Sequence, residues 1–274
     1  MTEQRPKRFP LPLAKVGLGQ AAPTRAVLMP QRHLREAALD AQRRAAPSGL
    51  GLDSAQVRAR MVQRLRLDGL SDERVLEAFG RVQRHVFVDS ALAIQAYEDT
   101  SLPIGLGQTI SKPSVVGRML ALLMQGENAR KQGHLGGVLE IGTGCGYQAA
   151  LLAQLGQSVV SIERLNLLHE KARAHLSGMG LGHSVRLIFG DGRLGHSAGG
   201  PYDGIVAAAG GEDLPAAWLE QLAPGGRLVA PMVKPGSRDQ VLVVVDHQLQ
   251  GRESRFARSE HEGVLFVPLK SGVV

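Results

Sequence analysis

Three glycines spaced two apart, Gly142, Gly144 and Gly146, follow an apolar run at 138–141 and precede a helix-like stretch at 147–155. A strand that enters a glycine turn and leaves as a helix is how an open α/β sheet builds a nucleotide site. The glycines let the backbone approach a ligand closely, and the helix N-terminus offers free N–H groups. Two carboxylates recur at equivalent places. Glu163 closes the next predicted strand, 158–162, where an acidic side chain takes both hydroxyls of a ribose. Asp191, between Gly190 and Gly192, follows a third predicted strand at 185–189 and is placed to accept from an adenine amino group. Tyr202-Asp203 opens a fourth. Carboxyl ends of parallel strands form one rim, so these loops are expected to share a crevice.

The glycine spacing selects among ribose ligands. A dinucleotide loop wants G-x-G-x-x-G, whereas position 147 holds Tyr and the spacing is G-x-G-x-G. That loop resembles the S-adenosylmethionine loop of Rossmann-like methyltransferases. Plainer readings exist for each part: a tight βα turn without ligand, Glu163 as a helix N-terminal charge paired with Arg164, and Asp191 as a turn residue. Their coincidence on one rim favours the ligand site.

The elements that must position these residues alternate. Asp53 is placed to cap a helix carrying Val57, Met61, Leu65 and Leu67, and Ser71 to cap a second with Val75, Leu76 and Phe79. A short helix through Tyr97 follows 84–88. Residues 102–113, with two glycines and two prolines, read as a loop or edge hairpin. Residues 114–125 are a helix with Val115, Val116, Met119, Leu122 and Leu123 inward, and 126–137 a connector. Further predicted elements are a helix at 164–177, a strand at 202–208, a helix at 214–222 with Trp218 in the core, a turn at 224–226, and strands at 227–231, 240–245 and 264–269. The rhythm implies an α/β fold with a mostly parallel sheet covered on both faces, an antiparallel edge, and an N-terminal helical segment.

Composition bounds the rest. Of the net charge of +7, residues 1–50 supply +6, from nine Lys/Arg against three acids. The basicity therefore belongs to a Pro/Ala/Arg-rich leader, read as disordered over 1–52, and the body at 53–274 is nearly neutral. That body divides into an N-terminal helical and substrate-loop part, 53–130, and a cofactor core, 131–274. A solvated leader is favoured over a nucleic-acid-binding one, although a basic tail can touch acidic surfaces. No run reaches the roughly 18 apolar residues of a membrane span, and prolines break any secretory apolar core. The one cysteine, Cys145, excludes an intrachain disulfide and suits a reducing, cytoplasmic setting. It reads as a small residue filling the turn. The nine histidines show no metal-ligand spacing, and no metal is assigned.

Over about residues 60 to 270 the sequence resembles the protein-L-isoaspartate (D-aspartate) O-methyltransferases. The resemblance is carried by Arg84-His-Val-Phe-Val-Asp89, Ala96-Tyr-Glu-Asp99, Leu102-Pro-Ile-Gly-Leu-Gly-Gln-Thr-Ile-Ser-Lys-Pro113, the glycine loop, Ser161-Ile-Glu-Arg164, Gly190-Asp-Gly192, Pro201-Tyr-Asp203, the run 221–229 and the run 264–269. Gln108-Thr-Ile-Ser111 is the distinctive part, since many methyltransferases share the cofactor loop. The resemblance implies a repair enzyme that methylates the α-carboxylate of L-isoaspartyl and D-aspartyl residues in damaged proteins; a monomer is expected. S-adenosylmethionine is the donor and S-adenosylhomocysteine the product. The ester then cyclises unaided to a succinimide, which reopens partly to normal aspartate. The resemblance also implies Ser111 as the active-site serine, Thr109 and Ile110 framing the peptide, and a cofactor set of Glu140, Gly142, Thr143, Gly144, Gly146, Glu163, Arg164, Asp191 and Gly192.

Sparse machinery suits this chemistry. A carboxylate is already ionised at neutral pH, so no general base is needed, and the protein must mainly align the reacting atoms. Ser111 then reads as a donor that orients the carboxylate, with helix capping as its plainer role. A Ser-His-Asp hydrolase lacks its G-x-S-x-G elbow here. The other readings are a methyltransferase of a small molecule or nucleic acid, and a non-catalytic isoaspartyl-binding adaptor. Three features depart from the family pattern. Cys145 replaces a usual serine, 207–210 lacks a usual threonine, and the leader has no counterpart in the family core.

Overall fold

The computed structural model describes residues 55–251 and 253–274. The expected cap at Asp53 and the leader lie outside them. The first helix, α1 (Ala55–Leu67), buries Met61 and Leu65, but Leu67 is 78% exposed and leaves the predicted face. Helix α2 (Glu73–Arg81) is capped one residue later than expected, by Asp72, whose carboxylate accepts from the amides of Arg74 and Val75. Two short 3₁₀ helices, Arg84–Phe87 and Ser90–Gln95, lead into the predicted hairpin, β1 (Leu102–Gly105) and β2 (Gln108–Ile110). Helix α3 (Pro113–Met124) follows, with Val115 only half-buried. The expected connector contains a helix, α4 (Glu127–Gln132), ended by left-handed Gly133. Only Ala129 of it is buried, so it carried no apolar period to read.

The main sheet has seven strands: β3 (Gly137–Ile141), β4 (Ser158–Glu163), β5 (Val185–Phe189), β6 (Tyr202–Ala207), β7 (Leu222–Val233), β8 (Gln240–Gln250) and β9 (Glu253–Val264). Their order is β5-β4-β3-β6-β7-β8-β9, parallel from β5 to β7 and antiparallel thereafter. The order reverses beside β3, which places a ligand crevice at its carboxyl end. Helices α5 (Tyr147–Leu155), α6 (Asn166–Gly178) and α7 (Ala216–Glu220) connect the strands. Alternate strand residues serve two cores. Val138, Val159, Val206, Val229 and Val244 face the one built with α1, α2, α3 and α5. Leu139, Val160, Ile205, Leu228 and Val243 face the one around Trp218. This period of two is what a sheet covered on both faces requires.

Two strand predictions need correction. The turn at 224–226 lies inside β7 as an irregularity, where pairing jumps from Tyr202–Leu222 to Gly204–Arg227. The last strand is β9 and not 264–269. Strand β9 is an edge strand with mostly exposed residues, so no alternation marked it. The apolar run beyond it buries Phe266 and crosses the end of β6, where Pro268 bridges Gly210.

Candidate functional site

The glycine turn works because its backbone is left-handed at alternate residues. Gly142, Gly144 and Gly146 have φ of 91°, 57° and 93°, a region hostile to side chains. At Gly144 a Cβ would also come within 3.2 Å of Ile104 Cδ1, so the β1–β2 hairpin rests directly on the loop. Glu163 braces the turn. One carboxylate oxygen accepts from the Gly144 amide at 2.9 Å and the other from the Leu165 amide at 2.9 Å. Each carboxylate oxygen has a second lone pair, so two further donors fit at Glu163.

Beneath the turn runs a buried relay. The Thr143 hydroxyl lies 2.6 Å from Ser161 Oγ, and Ser161 donates to the Glu140 carboxylate. Glu140 is fully buried. Burial pushes its pKa up to about 8, the negative charge of Glu163 adds to the rise, and hydrogen bonds from Ser161 and Gln148 oppose it. Cys145 is also buried, which pushes its thiol up to about 11, as expected of a residue that fills the turn.

Over the carboxyl end of β3 opens a cavity of about 390 Å³, within the usual range for small-molecule sites. It brings together Thr109, Ile110 and Ser111 from the hairpin and Gly142, Thr143 and Gly144 from the turn. Glu163, Arg164 and Gly192 also line it. Among the described residues the Ser111 hydroxyl has no hydrogen bond, and α3 is capped by Lys112 without any side-chain bond, so Ser111 does not cap it.

Three residues of the expected cofactor set do not line the cavity. Glu140 lies beneath Thr143. Gly146 turns toward α6, where a Cβ would meet Ala172 and Leu176 at 3.4 Å. Asp191 accepts from the amides of Arg193 at 2.9 Å and Gly272 at 2.6 Å. Arg164 does not pair with Glu163; its guanidinium donates to the Gly272 carbonyl at 3.0 Å. Gly192 has a packing reason to be glycine, since a Cβ would fall 2.5 Å from Ile141 Cγ2. Tyr202-Asp203 does not join the rim. It begins β6, at the opposite end of the sheet, and Asp203 there accepts from the Gly137 amide and the Asn128 side chain. Residues past the other end of that strand, Ala208 and Ala209, line the cavity instead.

The segment 267–274 joins the site, which the sequence left unplaced. It ties to the rim through Gly210 N to Val267 O at 2.8 Å, Leu269 N to Gly210 O at 2.7 Å and Val274 N to Arg164 O at 2.8 Å. Val267, Leu269 and Val274 line the cavity. The apolar run 264–269 is the signal for it, but its pattern is that of a strand.

Among the described residues no group of three or more His, Cys, Asp or Glu could hold a metal ion. No helix among them is long and apolar enough to cross a membrane.

The family model for protein-L-isoaspartate(D-aspartate) O-methyltransferase (PCMT) matches residues 56–274. A protein-L-isoaspartate O-methyltransferase of Methylibium petroleiphilum is 57% identical over 273 residues, covering 98% of each chain. One from Leptothrix cholodnii is 54% identical over 283 residues, covering 99% of this chain and 98% of its own. These alignments reach into the basic leader, which therefore has a counterpart in these two relatives. A solved protein-L-isoaspartate O-methyltransferase superposes with a TM-score of 0.66 at 25% identity, covering 79% of this chain and 67% of that one. A chain from Plasmodium falciparum, solved with S-adenosyl-L-homocysteine, superposes with a TM-score of 0.65 at 22% identity; 78% of this chain and 98% of that one are covered.

Proposed function

We infer the reaction from kinship, because the chain belongs to the protein-L-isoaspartate(D-aspartate) O-methyltransferase family. It is an S-adenosylmethionine-dependent methyltransferase that repairs proteins by esterifying the α-carboxylate of isoaspartyl residues. The observation that carries the reading at residue level is one cavity shared by the Ser111 segment and the braced glycine turn.

The residues fit the cofactor. Gly144 leaves room where a side chain would crowd the hairpin, and Glu163 retains acceptor capacity for a diol. We assign the ribose to Glu163 and the methionine part to the turn at Gly142, Thr143 and Gly144, above the Glu140–Ser161–Thr143 relay. Gly146 shapes the turn, and Arg164 and Asp191 hold the rim with the segment 267–274. When bound, S-adenosylmethionine supplies a methyl carbon made electrophilic by its sulfonium charge. The protein's own tasks are then few. Ser111 donates to the acceptor carboxylate and aims one oxygen, while Thr109 and Ile110 hold the flanking peptide. Ile104 and Val116 line the cavity with apolar surface. No side chain needs to remove a proton, because the nucleophile is already an anion. Alignment at near-attack distance supplies the main acceleration.

We further assign residues 53–274 as the methyltransferase body, the protein as a cytoplasmic monomer, and damaged proteins as its partners. The test is methyl transfer to an isoaspartyl peptide beside its aspartyl twin. Labelling of the isoaspartyl peptide alone is expected. Equal labelling of both, or of neither, overturns the assignment.

A further inference from the structure

Leu106 occupies the tip of the β1–β2 hairpin under conditions that favour another residue. Its φ is 53°, and it sits between Gly105 at 100° and Gly107 at 70°. Left-handed backbone opposes every side chain with a Cβ, and Asn or Gly is the usual choice. Nor does the fold gain apolar burial from it, since Leu106 is 53% exposed. Around its two neighbours an added Cβ would meet nothing within 4 Å, so the tip stands in open space. Yet Leu106 lines the same cavity as Ser111, five residues on. Strain of this kind persists where function uses it.

The hairpin gives the tip a defined place. Pro103 pairs with Thr109 and Gly105 with Gln108, so the strand bearing the Ser111 segment fixes where Leu106 stands. Ile104, two residues before it, rests on Gly144 at the cofactor end. A peptide whose carboxylate lies at Ser111 must leave the cavity past its mouth, where the tip stands. The only group Leu106 presents there is an isobutyl side chain, which gains by covering another apolar surface.

We propose that Leu106 is a specificity-determining residue that reads a bulky apolar side chain next to the isoaspartyl residue. This rests on the repair-methyltransferase reading above. Exposed leucine in left-handed backbone is costly to the free protein, and the bound peptide offsets that cost by covering it.

The experiment compares kcat/KM for isoaspartyl peptides carrying Leu, Phe, Gly or Lys immediately before or after the damaged residue. Full-length wild type is set beside Leu106→Ala, Leu106→Gly and Leu106→Met. Wild type is expected to prefer the apolar-flanked peptides on one side by about tenfold or more over the glycine-flanked ones. Leu106→Ala and Leu106→Gly collapse that ratio to about twofold, and Leu106→Met restores most of it. Leu106→Gly also melts no lower than wild type, because it relieves the positive φ. An unchanged preference in Leu106→Ala overturns the proposal while leaving the functional reading intact. So does a loss that is equal for all peptides and accompanied by a lower Tm, which marks a structural role. Wild type that labels no isoaspartyl peptide removes the functional reading, and the proposal with it.

Discussion

The two halves of the cavity are built by opposite means. The cofactor turn, 142–146, is seated at the carboxyl end of a central strand. Its left-handed positions are all glycine, and its amides are held: Gly142 and Thr143 by the Ile162 carbonyl, Gly144 by Glu163, and Gly146 by the Thr143 carbonyl. The acceptor half is a two-stranded hairpin outside the main sheet. It has three left-handed residues in a row, one of them leucine, an exposed tip, and a serine whose hydroxyl no described residue engages. One half is finished before its ligand arrives, and the other is completed by it. A cofactor common to every turnover suits a rigid seat, whereas substrates that differ from protein to protein suit a projecting, lightly held one.

That contrast is open to attack, most forcefully at Glu163. Replacing it with Ala removes acceptors for the diol and also frees the Gly144 amide. Calorimetric titration with S-adenosylhomocysteine is expected to show binding weaker by about 100-fold. A loss below about threefold would mean that the turn is not the seat described. Next in size is Ser111→Ala, where turnover on an isoaspartyl peptide should fall about 30-fold, in line with the loss of one hydrogen bond to a charged group. Binding of S-adenosylhomocysteine should move less than about twofold. If affinity for S-adenosylhomocysteine fell instead, the two halves would not be separable.

A further test concerns the relay under the turn and sharpens the idea of a seat finished in advance. Folding raises the Glu140 carboxyl from its ordinary 4.5 to about 8. Between those values the unfolded chain binds fewer protons at this site than the native one, so the site's contribution to stability falls as pH rises through that window. Above about 8 both states are ionised and the decline stops. Denaturant titrations of Glu140→Gln across pH 4.5 to 8 should therefore show a flatter profile than wild type. A profile with unchanged slope would place the pH dependence elsewhere.

How far the sequence revealed these features depended on whether a residue answered to a local rule. Strand β5 and helix α5 matched their predicted bounds, because branched apolar runs and glycine borders declare themselves over a few residues. Met61 and Leu65 obeyed the helical period, and Leu67 failed only at the fraying end. Strand β9 stayed hidden because an edge strand exposed along most of its length needs no apolar alternation. The parts of the site on the two sides of the cavity, Ser111 and the glycine turn, were each legible. Their distance from one another was not, since it depends on Ile104 resting on Gly144 across some forty residues. Asp203 shows the converse error. Its place beside a strand was read correctly, but it stands at the wrong end of that strand for the crevice. Nothing local announced that residues near the far end of the chain would hydrogen-bond Asp191 and Arg164.

Cys145 carries a last consequence. Burial pushes its thiol up to about 11, which disfavours the thiolate at neutral pH. Oxidants and electrophiles attack that form, and burial bars their approach as well. The lone sulfhydryl of the chain, set in the middle of the cofactor turn, is thereby shielded from oxidation.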